Sequence, residues 1–355
     1  MSRSDPFEAL AARPRASPAG PQGSEGEGRR APVGPYDDPA MPTTDPLAAA
    51  FVDANETLGA IARRLAGDGR VPGLRLAFGR AGIAPCNIPA LLDGASVALV
   101  DHTALPIEVA RRCAGLRHVV FLGTGARSYM DPDALAAELG IAVHLIRGYG
   151  DRAVAEHAIA LLFAAARGIA AMDRGVRAGA WPRTEGVQLA GKTLGLVGFG
   201  GIGRETARIA GGLGLRIVAW NRSAVDLPDG VERAPSLEAL LATSDAVSLH
   251  LLLTDDTRGL LSRERLALLK PGALLVNTAR GALLDEAALV DALASGRLGH
   301  AALDVFETEP LPAGHPLAAL PNVTLSAHSA FRTSEANEAL VAAAFDHLAR
   351  IAASR

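Results

Sequence analysis

The sequence predicts an α/β protein built from two parallel-sheet units, and three observations predict it. Short apolar runs alternate with helical segments along two successive stretches of chain, as expected of strands buried on both faces of a parallel sheet. The run Lys192-Thr193-Leu194-Gly195-Leu196-Val197 passes into Gly198-Phe199-Gly200-Gly201-Ile202-Gly203 and then Arg204-Glu205-Thr206-Ala207. That is a strand, a Gly-x-Gly-x-x-Gly turn and a helix start in the order that gives the glycine pattern meaning. The length, 355 residues with 49% hydrophobic side chains, is enough for two sizeable cores.

The elements follow in order. Leu47–Asp53 reads as a strand and Thr57–Leu65 as a helix; Leu74–Phe78 and Ala95–Asp101 read as strands around a short helix near Ile88–Leu92. Pro106–Cys113 is expected to be helical, followed by a strand at His118–Leu122, a helix at Asp133–Leu139 and a strand at Ala142–Ile146. A single long helix is expected from Arg152 to Val176. After Gly191-Lys192 a second series begins, with strands at Thr193–Val197, Arg216–Trp220, Ala246–Leu251, Ala273–Asn277, Ala301–Val305 and Val323–Ser326. This is a six-stranded doubly wound pattern, with Ser236 and Asp285 as helix N-caps. A terminal amphipathic helix runs from Thr333 to Ala353.

Bulk properties narrow the function classes. A formal net charge of −3 gives no reason to invoke nucleic acid or an acidic membrane surface. Two cysteines, Cys86 and Cys113, make neither a disulfide framework nor a metal knuckle, so a cytoplasmic setting is expected and no metal. The most apolar long stretch, Ala153 to Met172, contains Glu156, His157 and Arg167 and is a poor membrane span. Residues 1–45, rich in Pro, Gly, Ser, Arg and Glu, read as a disordered tail without signal-peptide order, with Met41 as a possible functional start.

The chemistry collects at strand ends. In the glycine turn, Gly198 permits the tight bend, Gly200 lets backbone approach a pyrophosphate, and Gly203 lets helix and strand pack and opens the helix whose free N–H groups face the phosphates; Gly201 and Ile202 are further candidate cofactor contacts. An NAD site places an acid about 20 residues further on, at the end of the next strand. Here the strand ends in Asn221-Arg222-Ser223. Arg222 can hold a 2′-phosphate with its planar fork, and Asn221 and Ser223 can add hydrogen bonds, which favours NADP(H) over NAD(H). Asp226 keeps NAD(H) as the alternative.

The strand before Asn277-Thr278-Ala279-Arg280-Gly281 places Arg280 beyond a carboxyl end, where ligands bind in open sheets. Two readings stand: a guanidinium that clamps a carboxylate and polarises its carbonyl, or a structural arginine pairing with a helix C-terminus. The strand ending at Asp304-Val305-Phe306 leads to Glu309-Pro310, and the last strand ends at His328. A carboxylate can orient an imidazole, and the imidazole can give or take the proton that accompanies hydride transfer. His300 reads as structural.

These residues together resemble the D-isomer-specific 2-hydroxyacid dehydrogenases, as do Val154-Ala155-Glu156-His157 and Ser248-Leu249-His250. The similarity covers roughly residues 47 to 355. It implies a flavodoxin-like substrate domain (46–150 plus 331–355) and a doubly wound, Rossmann-like NAD(P)-binding domain (151–330), usually in a homodimer joined through the cofactor domain. It further implies that Arg280 binds the 2-keto acid carboxylate, that His328 is the general acid paired with Glu309, that Asp304 contacts the nicotinamide amide, and that Thr278 and Ala279 line the cofactor. The loops Asp101-His102-Thr103 and Gly123-Thr124-Gly125 would meet the substrate.

The chain departs from the family pattern in places. Ala327, Ser329 and Ala330 stand where many members have Pro before the histidine and Gly after it. The Asp101-His102-Thr103 loop lacks the Arg-Ser pair of some phosphoglycerate dehydrogenases, and a carboxylate facing the pocket would oppose a phosphate. No regulatory domain follows the last helix, although short forms of that enzyme exist. The expected activity is NAD(P)-dependent interconversion of small 2-keto acids, such as glyoxylate or hydroxypyruvate, with D-2-hydroxy acids. The alternatives are a phosphoglycerate dehydrogenase-like enzyme, a phosphite or formate dehydrogenase, and a dinucleotide-sensing co-repressor-like binding protein.

Overall fold

The computed structural model describes residues 46–355, and the expected tail at 1–45 lies outside them. The first series is β1 (Ala48–Phe51), α1 (Glu56–Gly67), β2 (Arg75–Phe78), α2 (Ile88–Leu91), β3 (Val97–Val100), α3 (Ile107–Ala110), β4 (His118–Phe121), α4 (Pro132–Leu139) and β5 (Ala142–Leu145). Its five strands are all parallel in the order β2-β1-β3-β4-β5, the flavodoxin-like arrangement. Every residue of β3 is buried, which explains why it reads as an unbroken apolar run.

Two helices follow, α5 (Asp151–Arg167) and α6 (Ile169–Arg177), and here the expectation of one long helix fails. Gly168 adopts φ 60° and closes α5 as a left-handed cap, so the chain bends by 66°. Thr184 packs against that glycine. The apolar face of α5 is buried, and among the described residues no single helix is long and apolar enough to cross a membrane.

The second series is β6 (Thr193–Val197), α7 (Gly201–Gly212), β7 (Arg216–Trp220), β8 (Val231–Arg233), α8 (Leu237–Thr243), β9 (Ala246–Leu249), α9 (Arg263–Leu266), β10 (Ala273–Asn277), α10 (Glu286–Ala294), β11 (Leu298–Leu303), α11 (Pro316–Ala319) and β12 (Val323–Leu325). The sheet is parallel throughout in the order β12-β11-β10-β9-β6-β7-β8. It has seven strands, one more than expected. The extra strand, β8, is a three-residue edge piece, Val-Glu-Arg, with no apolar run to announce it. β11 begins at Leu298, three residues earlier than expected, because Leu298 pairs with Ala273 across a register shift. Ser236 and Asp285 cap α8 and α10 as expected.

The last helix, α12 (Ser334–Ala353), leaves the second sheet and returns to the first. Its Leu340, Val341, Phe345 and Leu348 join a core with Phe51, Leu58, Val97 and Leu99. The chain therefore passes between the sheets twice, once into α5 and once into α12.

Candidate active site

The crevice beyond the carboxyl ends of the second sheet starts at the turn between β6 and α7. Gly198 holds φ 105°, and a β-carbon there would lie 2.7 Å from the His250 carbonyl group. Gly203 packs against the Gly198 carbonyl too closely for any side chain. Gly200 is the N-cap of α7, no side chain caps the helix, and a β-carbon on Gly200 would meet nothing within 4 Å. The N–H groups of Gly201, Ile202 and Gly203 thus precede the first intrahelical bond, Arg204 N–H to Gly200 O at 3.0 Å. Asp151, at the start of α5, lies against Gly201. Burial there, reinforced by Glu205, pushes its carboxyl up from the usual carboxylate range.

The end of β7 is tied to this turn. Asn221 Oδ1 accepts the Phe199 N–H at 3.0 Å, and its Nδ2 donates to Ser223 O at 3.0 Å and Ser223 Oγ at 3.2 Å. Arg222 is exposed and pairs at 2.9 Å with Asp256, which is itself 80% exposed. Arg204 lies over the Phe199 ring and donates to the Asp226 carbonyl at 2.8 Å.

Between these loops stand three polar side chains: Thr278, expected at the cofactor, and Ser248 and His250, to which no role was assigned. Ser248 Oγ, both ring nitrogens of His250 and Thr278 Oγ1 are buried and have no hydrogen-bond partner. Burial holds the His250 imidazole neutral by lowering its pKa to about 4. Orphaned polar atoms are costly and rare, so a cluster of them at the ends of β9 and β10 calls for a polar ligand. They suit a dinucleotide, as do the uncapped α7 N-terminus and the open space at Gly200. A signal was present in the sequence: Ser248 and His250 alternate on one side of an otherwise apolar strand.

Arg280 is set by its own strand end. Asn277 is fully buried, accepts the Ala279 N–H at 3.0 Å and donates to Arg280 O at 2.9 Å, folding the turn that presents the arginine. The guanidinium is half-buried, donates to Ala279 O at 2.6 Å and lies against Gly125 of the first sheet. Among the described residues it pairs with no helix C-terminus.

His328 stands at the end of β12 with φ 48°, a left-handed backbone uncommon outside glycine. Its Nδ1 is 2.6 Å from Glu309 Oε2, and Glu309 Oε1 is fixed by the Phe306 N–H at 3.0 Å. Asp304, expected to contact the nicotinamide amide, is completely enclosed by protein. Its Oδ1 accepts from Ser326 Oγ at 2.6 Å and Ser329 N–H at 3.0 Å, and its Oδ2 from Ala330 N–H at 2.9 Å. Its main-chain carbonyl accepts the His328 N–H at 2.8 Å. Asp304 therefore holds the loop that carries His328. Burial opposes its charge, but the hydrogen bonds from His157, Ser326, Ser329 and Ala330 prevail and lower its pKa to about 2. His300 is buried and bonded to Thr324 Oγ1 at 2.9 Å, far down the strand from these groups.

The first sheet contributes the facing loops. Asp53 accepts the N–H groups of Asp101 at 2.9 Å and His102 at 2.7 Å, and Asp101 pairs with His102 at 2.8 Å. Thr103 and Gly123 are buried, Gly125 touches Arg280, and Thr124 is exposed. Tyr149, beside Gly123, is pushed up to about 12, chiefly by burial. Phe331 meets the His328 ring edge-on at 6.2 Å between centroids. The arginine, the histidine–glutamate pair and the loops after β3 and β4 thus converge on one crevice.

Residues 159–330 match the family model for the D-isomer specific 2-hydroxyacid dehydrogenase, NAD binding domain. A glyoxylate reductase of Aeropyrum pernix is 44% identical over 229 residues, covering 61% of this chain and 68% of its own. A glycerate dehydrogenase of Methylorubrum extorquens is 34% identical over 281 residues, covering 76% of this chain and 87% of its own. Among solved structures, an acyclic imino acid reductase in complex with NADPH and D-Arg superposes with TM-score 0.77 at 28% identity, over 86% of this chain and 97% of that one.

Proposed function

On the premise that the chain belongs to the D-isomer-specific 2-hydroxyacid dehydrogenase family, we propose that it reduces small 2-keto acids to D-2-hydroxy acids with NAD(P)H. The observation that carries this reading is the Glu309–His328 pair at 2.6 Å, in the same crevice as Arg280, which has no acidic partner among the described residues. The turn Gly198–Gly203, the chain at Asn221–Ser223, Thr278 and Ala279 would hold the dinucleotide, with Ser248 and His250 supplying the polar contacts they now lack. Bound there, the reduced nicotinamide supplies hydride to the keto carbon.

The chain's own residues do the rest. Arg280 binds the substrate carboxylate with two parallel N–H bonds and draws electron density toward the carbonyl oxygen. In the loop after β4 the Gly123 N–H already donates to Phe121 O at 2.9 Å, so the Thr124 and Gly125 N–H groups would be the ones to meet the same carboxylate. With His328 as the imidazolium, Glu309 accepts the Nδ1–H and the Nε2 proton is given to the developing alkoxide, leaving the neutral Nδ1–H ring. Asp304 keeps His328 in place through the three bonds to its loop. In the reverse direction His328 takes the proton back.

The finer assignments rest on single features. NADP(H) is favoured because Arg222 and Arg204 flank the end of β7 where no carboxylate stands, and the exposed Asp256 can give way to a 2′-phosphate. Arg222→Ala should weaken NADPH about tenfold more than NADH in a fluorescence titration, the worth of one charge-assisted contact. Equal effects on the two cofactors would reject the role. A substrate domain of 46–150 plus 331–355 and a cofactor domain of 151–330 accord with α12 packing into the first core. A homodimer through the cofactor domain accords with the exposed apolar residues Phe163, Ile169, Val176, Trp181 and Val187 on and beyond α5 and α6. A cytoplasmic setting accords with Cys86 and Cys113, both free thiols.

His102 Nδ1 lies 2.8 Å from Asp101 Oδ2, so the carboxylate that had argued against a phosphate substrate is already engaged. Phosphoglycerate-type turnover is thus the second reading. The test is spectrophotometric: oxidation of NADPH and NADH against glyoxylate, hydroxypyruvate, pyruvate and phosphohydroxypyruvate. Failure of every acid would overturn the proposal, and turnover of the phosphorylated acid alone would establish the second reading.

A further inference from the structure

The loop that carries Glu309, between β11 and α11, has no helix or strand of its own. Its shape must come from outside, and Glu286, the first residue of α10, grips it in two places. Glu286 Oε2 accepts the Glu307 N–H at 3.4 Å, and its Oε1 accepts from His315 Nε2 at 3.0 Å. His315 Nδ1 accepts the Leu317 N–H at 3.3 Å and caps α11, so the neutral ring carries its proton on Nε2 and points it at Glu286. Both side chains are largely buried, His315 at 18% and Glu286 at 19% exposure. A carboxylate taken out of water contributes little net stability. What this one supplies is two fixed points on an irregular segment. Between them lies Glu309, with Oε1 on the Phe306 N–H and Oε2 on His328 Nδ1.

We infer that Glu286 and His315 are a positioning pair for the proton-transfer step: they fix the two ends of the Glu309 loop and so keep Glu309 on His328. The inference deepens the proposed reduction of 2-keto acids and rests on it. The pair acts through Glu309 and touches no reacting atom. Slack in the loop would let Glu309 drift from Nδ1, and His328 would then lose both the orientation of its ring and the partner of its imidazolium. A displacement of about 1 Å at a catalytic group can cost about a hundredfold. Arg280 is set by Asn277 at its own strand end, so carboxylate binding is spared. The pair therefore governs kcat more than KM.

Two substitutions separate the two bonds of the His315 ring. His315→Asn keeps an oxygen for the Leu317 N–H but is too short to reach Glu286. His315→Gln brings an amide N–H to the position of Nε2 and keeps Glu286, but it cannot cap α11. With the 2-keto acid that the wild type turns over fastest, His315→Asn should lower kcat about tenfold, with KM within about twofold and the NADPH Kd by fluorescence unchanged. His315→Gln should retain most of kcat. In a Glu309→Gln background, His315→Asn should cost almost nothing further, because the carboxylate it positions is gone. The reverse order of the two variants, equal kcat in both, or a fully additive loss with Glu309→Gln would overturn the inference while leaving the reductase reading intact. If His315→Asn does not fold, Glu286→Gln, with one oxygen for two donors, should show the same loss of kcat, and wild-type kcat there would overturn the inference. Absence of turnover of every 2-keto acid by the wild type would overturn both.

Discussion

In each sheet the strand at the point where the order reverses, β1 or β6, leads into a helix, and the two helices begin differently. α1 starts at Asn55, whose side chain accepts the Leu58 N–H at 2.9 Å. α7 starts at Gly200, which has no side chain to offer. The parallel topology supplies both sheets with a crevice and an outward-facing helix N-terminus. Only the uncapped one keeps its N–H groups and partial charge for a phosphate. The capping residue therefore decides which of two similar crevices takes the dinucleotide. The other is left to hold the loops at Asp101 and Gly123.

The difference can be broken in four ways. His328→Ala, at the chemical end of the second crevice, should lower kcat by about two to four orders of magnitude, the usual worth of a general acid. NADPH binding by fluorescence should stay near wild type. Full turnover in that variant would remove the proton donor from the account. Gly200→Asp should give α7 the cap that α1 already has. The Gly200 backbone is extended (φ −82°, ψ −158°) and open, so the fold has no reason to object. The NADPH Kd should rise about a hundredfold, because a carboxylate would occupy and repel the phosphate position. Unaltered NADPH binding would show that capping is not what separates the crevices.

The third test is of pH. The Asp304 pKa falls from 3.8 to about 2 on folding, so its stabilisation is fully present above pH 3.8 and is lost as pH falls toward 2. The loss should be about 2 kcal/mol, read as a lowered urea midpoint, and absent in Asp304→Asn, which is less stable at neutral pH to begin with. An identical acid profile in that variant would deny Asp304 its part. The smallest effect belongs to the first crevice: Asn55→Ala should cost about 1 kcal/mol in urea denaturation without changing the NADPH Kd. A change in cofactor affinity there would blur the distinction between the two helix starts.

The strands were legible because parallel strands buried on both faces leave unbroken apolar runs, as in Ala273–Asn277. Arg280, Glu309 and His328 were legible because each follows such a run. Other features have no local mark. Gly168 sits in an alanine-rich stretch and looks no different from a tolerated helical glycine until its φ of 60° is seen. β8 exists because Val231 finds Ile217 across the sheet edge, and its own three residues do not require it. Asp304 precedes the loop it stabilises by more than 20 residues, so its three bonds there appear only when β11 and β12 lie side by side. The Asp101–His102 pair joins neighbours in sequence, but it is Asp53, 48 residues upstream, that turns their backbone into place.

The double passage between the sheets also sets an order of assembly. The second sheet is drawn from one continuous stretch of chain and can close its core as soon as β12 emerges from the ribosome. The first sheet is synthesised before it and yet lacks Leu340, Phe345 and Leu348 until α12 has been made. Domains tend to fold as units in the order they are translated. Here the older half of the polypeptide must wait, its apolar face against α12 uncovered, while the younger half matures. Among the described residues, the sheet synthesised first is the last to be sealed.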